Sequence, residues 1–373
     1  MRIAYNARFL SASNVTGVER VAYDLLLHLV KQDSKNEYIV FTAKKEYLGS
    51  IAISPNVTCV ECSLLRGNRF LKHVWEQFVL PLYVLIYKCD VLFNPTNTAP
   101  IINFSKTILF LCDVSFMVNP KWFSKSFSIC YRFIIPIISR RANAIITISQ
   151  SSKNDIVKYC KVSEDKVKVV YPSLSGIFDA NNDGQNDSVL ANLHIRKPFV
   201  LFTGSINPRK NLKNLITAFK KYKSKFNDME HSLIVVGAMN TNFAPEALTN
   251  DKNNNIVYVG YVDDNQLKSL YQESELFIYP SLYEGFGLPP LEAMCCGTPV
   301  IVSNTSSLPE VCGDAAIYVD PENTEQISDA INNILCNADM RKKMIMKGKE
   351  RVLHFNWDDA AKNVIHITEE VSL

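Results

Sequence analysis

Short runs rich in Val, Ile, Phe and Tyr recur along the chain, separated by longer stretches with apolar residues at helical spacing. The runs predict strands at Arg2–Ala7, Tyr38–Thr42, Val57–Cys62, Val91–Asn94, Thr107–Cys112, Ala144–Ile148 and Val167–Tyr171. A second series follows at Phe199–Thr203, Ser232–Val236, Ile256–Val259, Leu276–Tyr279, Pro299–Val302 and Ala316–Val319. Strands alternating with helices predict a parallel sheet covered on both faces, and here the pattern occurs twice. Between the two series, residues 179–188 (Asp-Ala-Asn-Asn-Asp-Gly-Gln-Asn-Asp-Ser) are polar and nearly devoid of apolar side chains, which reads as a linker. The expectation is an α/β protein of two doubly wound, Rossmann-like domains, residues 1–178 and 189–355, facing across a cleft. Ligands in such folds sit at the carboxyl ends of the strands. Past Val319, helical spacing marks Glu325–Cys336 and Met340–Phe355. Asn356 then offers an N-cap with two acids behind it, predicting a last helix over 356–373 that crosses back to the first domain.

Length and composition agree. The 373 residues exceed one ordinary core and suit two domains. With 47% hydrophobic residues and no long biased stretch, the chain reads as globular. The opening Met1-Arg-Ile-Ala-Tyr-Asn-Ala7 reads as a strand and not as a signal peptide. The most apolar run, Gln77–Tyr87, is shorter than the roughly 20 residues that cross a bilayer. A cytoplasmic location is therefore expected, and the ten scattered cysteines read as free thiols. Cys59 and Cys62 have redox spacing but lie in strand-like sequence.

Charge is unevenly divided. Through Ser175 there are 22 Lys and Arg against 12 Asp and Glu, a net +10, and the remainder carries 18 against 25, a net −7. A basic first half points to an anionic surface or substrate. No nucleic-acid-binding module is recognisable, so nucleic acid is not an expected partner and an anionic membrane fits better.

The stretch from Ser281 to Ile301 carries the clearest chemistry. Glu284 stands at the carboxyl end of a predicted strand. Gly285 and Gly287 permit a tight turn and a close ligand, and Pro289 and Pro290 suit the first turn of a helix. Amides around Phe286 to Leu291 would then converge on one spot at the positive end of the helix dipole, an anion site best suited to phosphate. Glu292 beside it can accept hydrogen bonds from vicinal hydroxyls such as those of a ribose, and Glu284 can hold a second polyol. A solvated first-turn glutamate would explain Glu292 alone. A second stretch, Phe202–Leu212, follows another strand: Gly204 leaves room at its end, and Arg209 and Lys210 precede the predicted helix Leu212–Lys225. Cations suit a helix N-terminus only where an anion binds, so these two can neutralise a diphosphate. In the first half, Thr16 and Gly17 open a helix after the first strand, with Tyr5, Arg8 and Glu19 as lesser candidates.

On these residues the chain resembles the retaining glycosyltransferases of nucleotide-sugar family four, which adopt the GT-B fold. The E-x7-E motif is Glu284 to Glu292, G-S-x-x-P-R-K-N is Gly204 to Asn211, T-G-V-x-R is Thr16 to Arg20, and Ile146–Asp155 is similar to the segment closing the first domain. Trp75–Gln77 and Cys112–Phe116 are similar to the branch containing mannosyltransferases of O-antigen and capsule synthesis. The resemblance implies a nucleotide-sugar donor held by the second domain and a glycan acceptor at the first, for which the basic and apolar residues of the first half suit a lipid carrier. By that resemblance Glu292 binds ribose and Arg209 and Lys210 the diphosphate. Glu284 binds the sugar with the backbone of Phe286, Gly287 and Leu288. Gly17 and Gly204 line the pocket, Tyr261 and Val262 flank the base, and Asp113 lies near the reacting sugar or acceptor. GDP-mannose is the preferred donor on family analogy alone.

Many relatives have a histidine where this chain has Cys112, and a thiol is no proton carrier near neutral pH unless its pKa is shifted. The position is therefore inessential, or the chemistry proceeds without it, or catalysis is lost and the chain is a nucleotide-sugar-binding scaffold of a polysaccharide assembly complex. No Asp-x-Asp occurs in the sequence, so no metal or other cofactor is expected. Finally, Arg66, Arg69 and Lys72 precede the apolar Val74–Tyr87 stretch, and Lys121, Lys125, Arg132, Arg140 and Arg141 flank Phe127–Ile138. Such a mixture suits peripheral docking on anionic lipid, and it equally suits a first-domain core with basic residues on its surface.

Overall fold

The thirteen predicted runs all form strands, with ends moved by at most two residues. The computed structural model describes residues 1–10, 17–178, 186–238 and 255–373. Asn14, Val15 and Thr16 of the opening loop, and residues 179–185 of the expected linker, lie outside the described residues.

β1 (Arg2–Asn6), β2 (Glu37–Thr42), β3 (Val57–Glu61), β4 (Val91–Asn94), β5 (Lys106–Phe110), β6 (Ala144–Thr147) and β7 (Val167–Val169) form one seven-stranded sheet in the order β3-β2-β1-β4-β5-β6-β7. β8 (Phe199–Thr203), β9 (Ser232–Val236), β10 (Ile256–Gly260), β11 (Leu276–Tyr279), β12 (Val300–Ser303) and β13 (Ala316–Val319) form a six-stranded sheet in the order β10-β9-β8-β11-β12-β13. Every strand pair is parallel. The central strands are buried along their length, β4, β6, β8 and β11 without an exposed position. This is why they read as continuous apolar runs and not as alternating ones. The expected α/β class with two doubly wound, GT-B type sheets is what the chain adopts.

The chain divides into two units. One holds Met1–Met117, Ile129–Ser173 and Asn356–Leu373, the other Val118–Ser128 and Leu174–Phe355. In the first, the helix Gly17–Gln32 buries Val21, Ala22, Leu25, Leu26, Leu29 and Val30, an unbroken face at helical spacing. His28 on this helix meets Asp358 at 2.7 Å on the last helix, Trp357–Ser372, which Asn356 caps by accepting the Asp358 amide. Another core gathers Trp75, Leu80 and Val84 on Ala4, Ile39, Phe41 and Leu92. Each such side chain, fully buried, contributes on the order of 1.5–3 kcal/mol.

In the second unit the order β10-β9-β8-β11 reverses direction between β8 and β11. That is the switch point at which open α/β sheets hold ligands. The strand ends are drawn together there. The Gly204 amide donates to the Val236 carbonyl at 3.0 Å, and the Gly237 amide to Gly260 at 2.8 Å. Gly237 has φ +149, and a Cβ on it would lie 1.8 Å from the Gly204 carbonyl oxygen. Only glycine fits. Gly237→Ala is expected to cost about 3 kcal/mol or more of stability, read as a lowered urea midpoint. An unchanged midpoint would mean that the two strand ends do not need this approach.

Candidate functional site

The carboxyl ends of β8 and β11 place Glu284 against Arg209 and Lys210. Arg209 Nη1 donates to Glu284 Oε2 at 2.9 Å and to the Tyr283 carbonyl at 2.7 Å, and Lys210 Nζ donates to Glu284 Oε1 at 2.7 Å. Lys210 also donates to the Tyr279 hydroxyl. Glu284 and Lys210 are 7% and 6% exposed. Burial alone would raise the Glu284 pKa, but the charges of Arg209 and Lys210 outweigh it and hold the carboxyl down to about 2. The group is therefore an acceptor only.

Local sequence explains the placement. Asn207 caps a short turn, Pro208–Lys210, by accepting the Arg209 amide at 3.1 Å. Asn211 adopts the left-handed conformation, φ 58, and its side chain donates to the carbonyls of Pro280 and Pro321, at 3.0 and 2.6 Å. The two cations thus precede the helix Leu212–Phe226 in a turn of their own, and the anion beside them is Glu284. The Leu282 amide donates to the Arg209 carbonyl at 2.8 Å and ties this turn to the next.

The Glu284 turn is fixed from β12 as well. The Glu284 amide donates to Ser306 Oγ at 2.8 Å, and Ser307 Oγ reaches the carbonyls of Glu284 and Phe286, at 2.9 and 2.6 Å. Gly287, φ 120, opens the helix Leu288–Cys295 with Pro289 and Pro290 in its first turn and no side-chain cap. The Phe286 ring is buried edge-on against Phe355, centroids 5.3 Å apart. Glu292 is the fifth residue of that helix, one residue past the first turn in which it was expected. Its Oε2 accepts the Tyr271 hydroxyl at 2.9 Å, which in turn lies 2.9 Å from Thr203 Oγ1. Burial and the Glu292 charge push the Tyr271 phenol well up, so it stays a neutral donor. Gly204 follows Thr203, and a Cβ on it would meet the Lys210 chain at 3.5 Å. After β10, Tyr261 is 68% exposed while Val262 is buried.

The structure therefore brings Gly204, Arg209, Lys210, Glu284, Phe286, Gly287, Leu288 and Glu292 to the strand ends around one switch point. Gly17 and Asp113 belong to the first unit. Gly17 opens its helix, with no atom of the described residues within 4 Å of a Cβ built on it. Asp113 is half-buried and accepts the Ser115 amide at 2.8 Å. Its neighbour Cys112 is buried. Its amide donates to Asn97 Oδ1 at 2.7 Å, and burial followed by the Asp113 charge drives the thiol pKa far above its usual range. The first sheet has its own switch point between β1 and β4. There Arg8 Nε lies 2.8 Å from the fully buried Glu76, which also accepts from Asn6 and Thr98 at 3.0 Å. Tyr5 is a core residue whose hydroxyl donates to the Ala22 carbonyl at 2.7 Å.

Sequence reasoning missed Gly237, Tyr271, Tyr279, Ser306 and Ser307. Each supports the site across strands distant in sequence, and none carries a local signal.

Residues 190–351 match the family described as "Glycosyl transferases group 1". The chain is 31% identical over 231 residues to "O-antigen chain mannosyltransferase B" of Escherichia coli, covering 60% of each. It is 30% identical over 221 residues, 58% of each, to "O-antigen chain mannosyltransferase RfbU" of Salmonella typhimurium. The matches thus span about 60% of the length of these curated relatives. Among solved structures, Anabaena HepE in complex with UDP and glucose superposes with TM-score 0.72 at 16% identity over 99% of both chains. WaaG, a glycosyltransferase involved in lipopolysaccharide biosynthesis, gives 0.69 at 13% identity over 98% of this chain and 99% of that one. Residues 190–351 are thus similar to the glycosyl transferases group 1 family, and the solved structures share the fold of the chain.

Proposed function

We propose that the protein transfers a hexose, mannose from GDP-mannose by preference, to a growing lipid-linked surface polysaccharide such as O-antigen or capsule, with retention of the α configuration. The observation that carries this reading is the Arg209–Glu284–Lys210 trio, with Glu284 and Lys210 buried, at the switch point of the second sheet. O-antigen mannosyltransferases among the relatives support the donor and the acceptor class, and HepE, bound to UDP and glucose, supports a nucleotide-sugar ligand.

In the proposed reaction Arg209 and Lys210 bind the diphosphate, with the helix Leu288–Cys295 directing its positive end the same way. Glu292 accepts from ribose hydroxyls and Glu284 from the sugar, with the backbone of Phe286 to Leu288. Gly204 leaves the phosphates room, Tyr261 and Val262 flank the base, and Gly17 and Asp113 serve the donor and acceptor from the first unit. The bond from the anomeric carbon to the phosphate oxygen breaks, and the acceptor oxygen bonds to that carbon on the same face. The acceptor's proton passes to a leaving phosphate oxygen. The two cations take the growing negative charge, so this reading requires no metal. The acceptor's lipid carrier implies peripheral contact with an anionic membrane from the cytoplasmic side.

GDP-mannose is expected to raise the melting temperature more than UDP-, ADP- or dTDP-sugars, since a ligand of the folded state stabilises it. Arg209→Ala and Lys210→Ala should remove that shift and lower kcat/KM by roughly 10²–10³-fold. Transfer at the parental rate by Lys210→Ala would refute the assigned role.

Acid titration tests Glu284 itself. Its folded pKa is about 2 against an ordinary 4.5. Its contribution to stability is therefore complete above pH 4.5 and fades as pH falls towards 2. The difference is worth about 3 kcal/mol. Unfolding free energies of the parent and Glu284→Gln should converge over that range, and parallel curves would contradict the ion pairs.

A further inference from the structure

Part of the chain between β5 and β6 does not stay with the first sheet. The first unit ends one piece at Met117 and resumes at Ile129, and Val118–Ser128 belong to the second unit. Local sequence builds this segment. Asn119 caps the short turn Pro120–Trp122 by accepting the Lys121 amide at 3.1 Å, and Pro120 takes the first position, where a missing N–H costs nothing. The Phe123 amide donates to the Pro120 carbonyl at 3.2 Å. Phe123 and Phe127 stack with centroids 5.4 Å apart. The Ser128 amide donates to the Ser124 carbonyl at 2.9 Å as the helix Lys125–Arg141 begins. Lys121, Lys125 and Ser126 are exposed, whereas Trp122 and Phe123 are buried.

Within the second unit Trp122 lies on Tyr283, the ring centroids 6.2 Å apart and the planes tilted by 43°. That separation falls in the range of attractive aromatic pairs. Tyr283 is buried and directly precedes Glu284, and its carbonyl accepts Arg209 Nη1 at 2.7 Å. The backbone on either side of it is tied from β12. Thr305 Oγ1 donates to the carbonyls of Ser281 and Leu282 at 3.2 and 3.3 Å, and Ser306 and Ser307 hold Glu284. Trp122 adds a grip on the side chain. A ring pinned by a rigid partner restricts the backbone that carries it, so the Tyr283 carbonyl and the Glu284 carboxylate keep their aim. Glu284 faces Arg209 and Lys210 from the turn before Leu212, and the Tyr279 hydroxyl from β11. The Arg209 and Glu284 side chains are 12% and 8% exposed. Water admitted where an indole had been would weaken their attraction.

We propose that Trp122 is a positioning residue for the Glu284 turn: packed on Tyr283, it keeps the Tyr283 carbonyl and the Glu284 carboxylate directed at Arg209. Its bearing on transfer rests on the donor reading above. Its test reads an ion pair in the protein alone, so either can fail without the other.

The readout is the gap in urea midpoint between a chain with Glu284 and the same chain carrying Glu284→Gln. In the parent that gap is complete above pH 4.5 and closes as pH falls towards 2. Trp122→Ala is expected to lower the midpoint, as loss of any buried indole would. It should also narrow the gap near neutral pH by about half or more, because residues joined in one network do not add. Trp122→Phe, which keeps an aromatic ring on Tyr283, should restore the gap. Where Trp122→Ala does not fold, Trp122→Leu takes its place and should narrow the gap in the same direction. A merely structural indole would leave the gap unchanged, since independent sites add. In parallel, the thermal shift from GDP-mannose should fall in Trp122→Ala and return in Trp122→Phe. An unchanged gap in the alanine variant (or in leucine in its place), a gap equally narrow in Trp122→Phe, or a full donor shift in Trp122→Ala would overturn the proposal. A parent that shows no shift with any nucleotide sugar would refute the donor reading and leave the gap to decide this one.

Discussion

Two cations and a carboxylate share one buried corner at the ends of β8 and β11, and that corner holds only if every charge is answered. An ion taken out of water loses several kcal/mol of hydration, and a pair recovers it only with good geometry and further hydrogen bonds. Glu284 meets this demand by giving one oxygen to Arg209 and the other to Lys210. The backbone completes the arrangement, since Arg209 also reaches the Tyr283 carbonyl and the Leu282 amide returns to Arg209. Glu284, Arg209 and Lys210 thus hold one another in place at the strand ends.

The surroundings follow from that constraint. A corner this tight needs backbone to approach backbone, and Gly204 and Gly237 supply the approach. It also needs the Glu284 turn to be rigid, which the Ser306 and Ser307 hydroxyls provide from the end of β12. Glu292 is tied independently, through Tyr271 to Thr203 at the end of β8. The two acids of the motif are therefore fixed by different strands, and the turn between them spans the switch point.

Much of this was legible in the sequence. Strands buried on both faces write themselves as unbroken apolar runs, so all thirteen could be found and their class inferred. The Glu284 turn declared itself through Gly285, Gly287, Pro289 and Pro290, residues whose backbone preferences act locally. What stayed hidden acts at a distance. The pairing of Glu284 with Arg209 joins residues 75 apart, and Tyr271 and Ser307 are ordinary side chains until the sheet brings them round. Cations ahead of Leu212 pointed to a bound anion, and the structure supplies a nearer one in Glu284. The Val74–Tyr87 stretch was ambiguous because it is apolar on both sides of the helix. Only the fold separates Leu80 and Val84, inside, from Phe78, Leu82 and Ile86, outside.

Cys112 bears on how a proton can travel in the proposed reaction. A thiol that is 4% exposed, with its pKa raised by burial and by the adjacent Asp113, stays protonated throughout the physiological range. It neither accepts nor delivers a proton. Its carbonyl accepts the Thr147 hydroxyl at 3.1 Å and its amide is bound to Asn97, so the residue serves as backbone scaffolding for Asp113. Glu284, with its pKa near 2, is too weak a base to replace a histidine. Among the groups of the proposed reaction, the departing phosphate gains basicity just as the acceptor hydroxyl loses its proton. A retaining transfer that returns the proton to its own leaving group therefore makes the least demand on the side chains present.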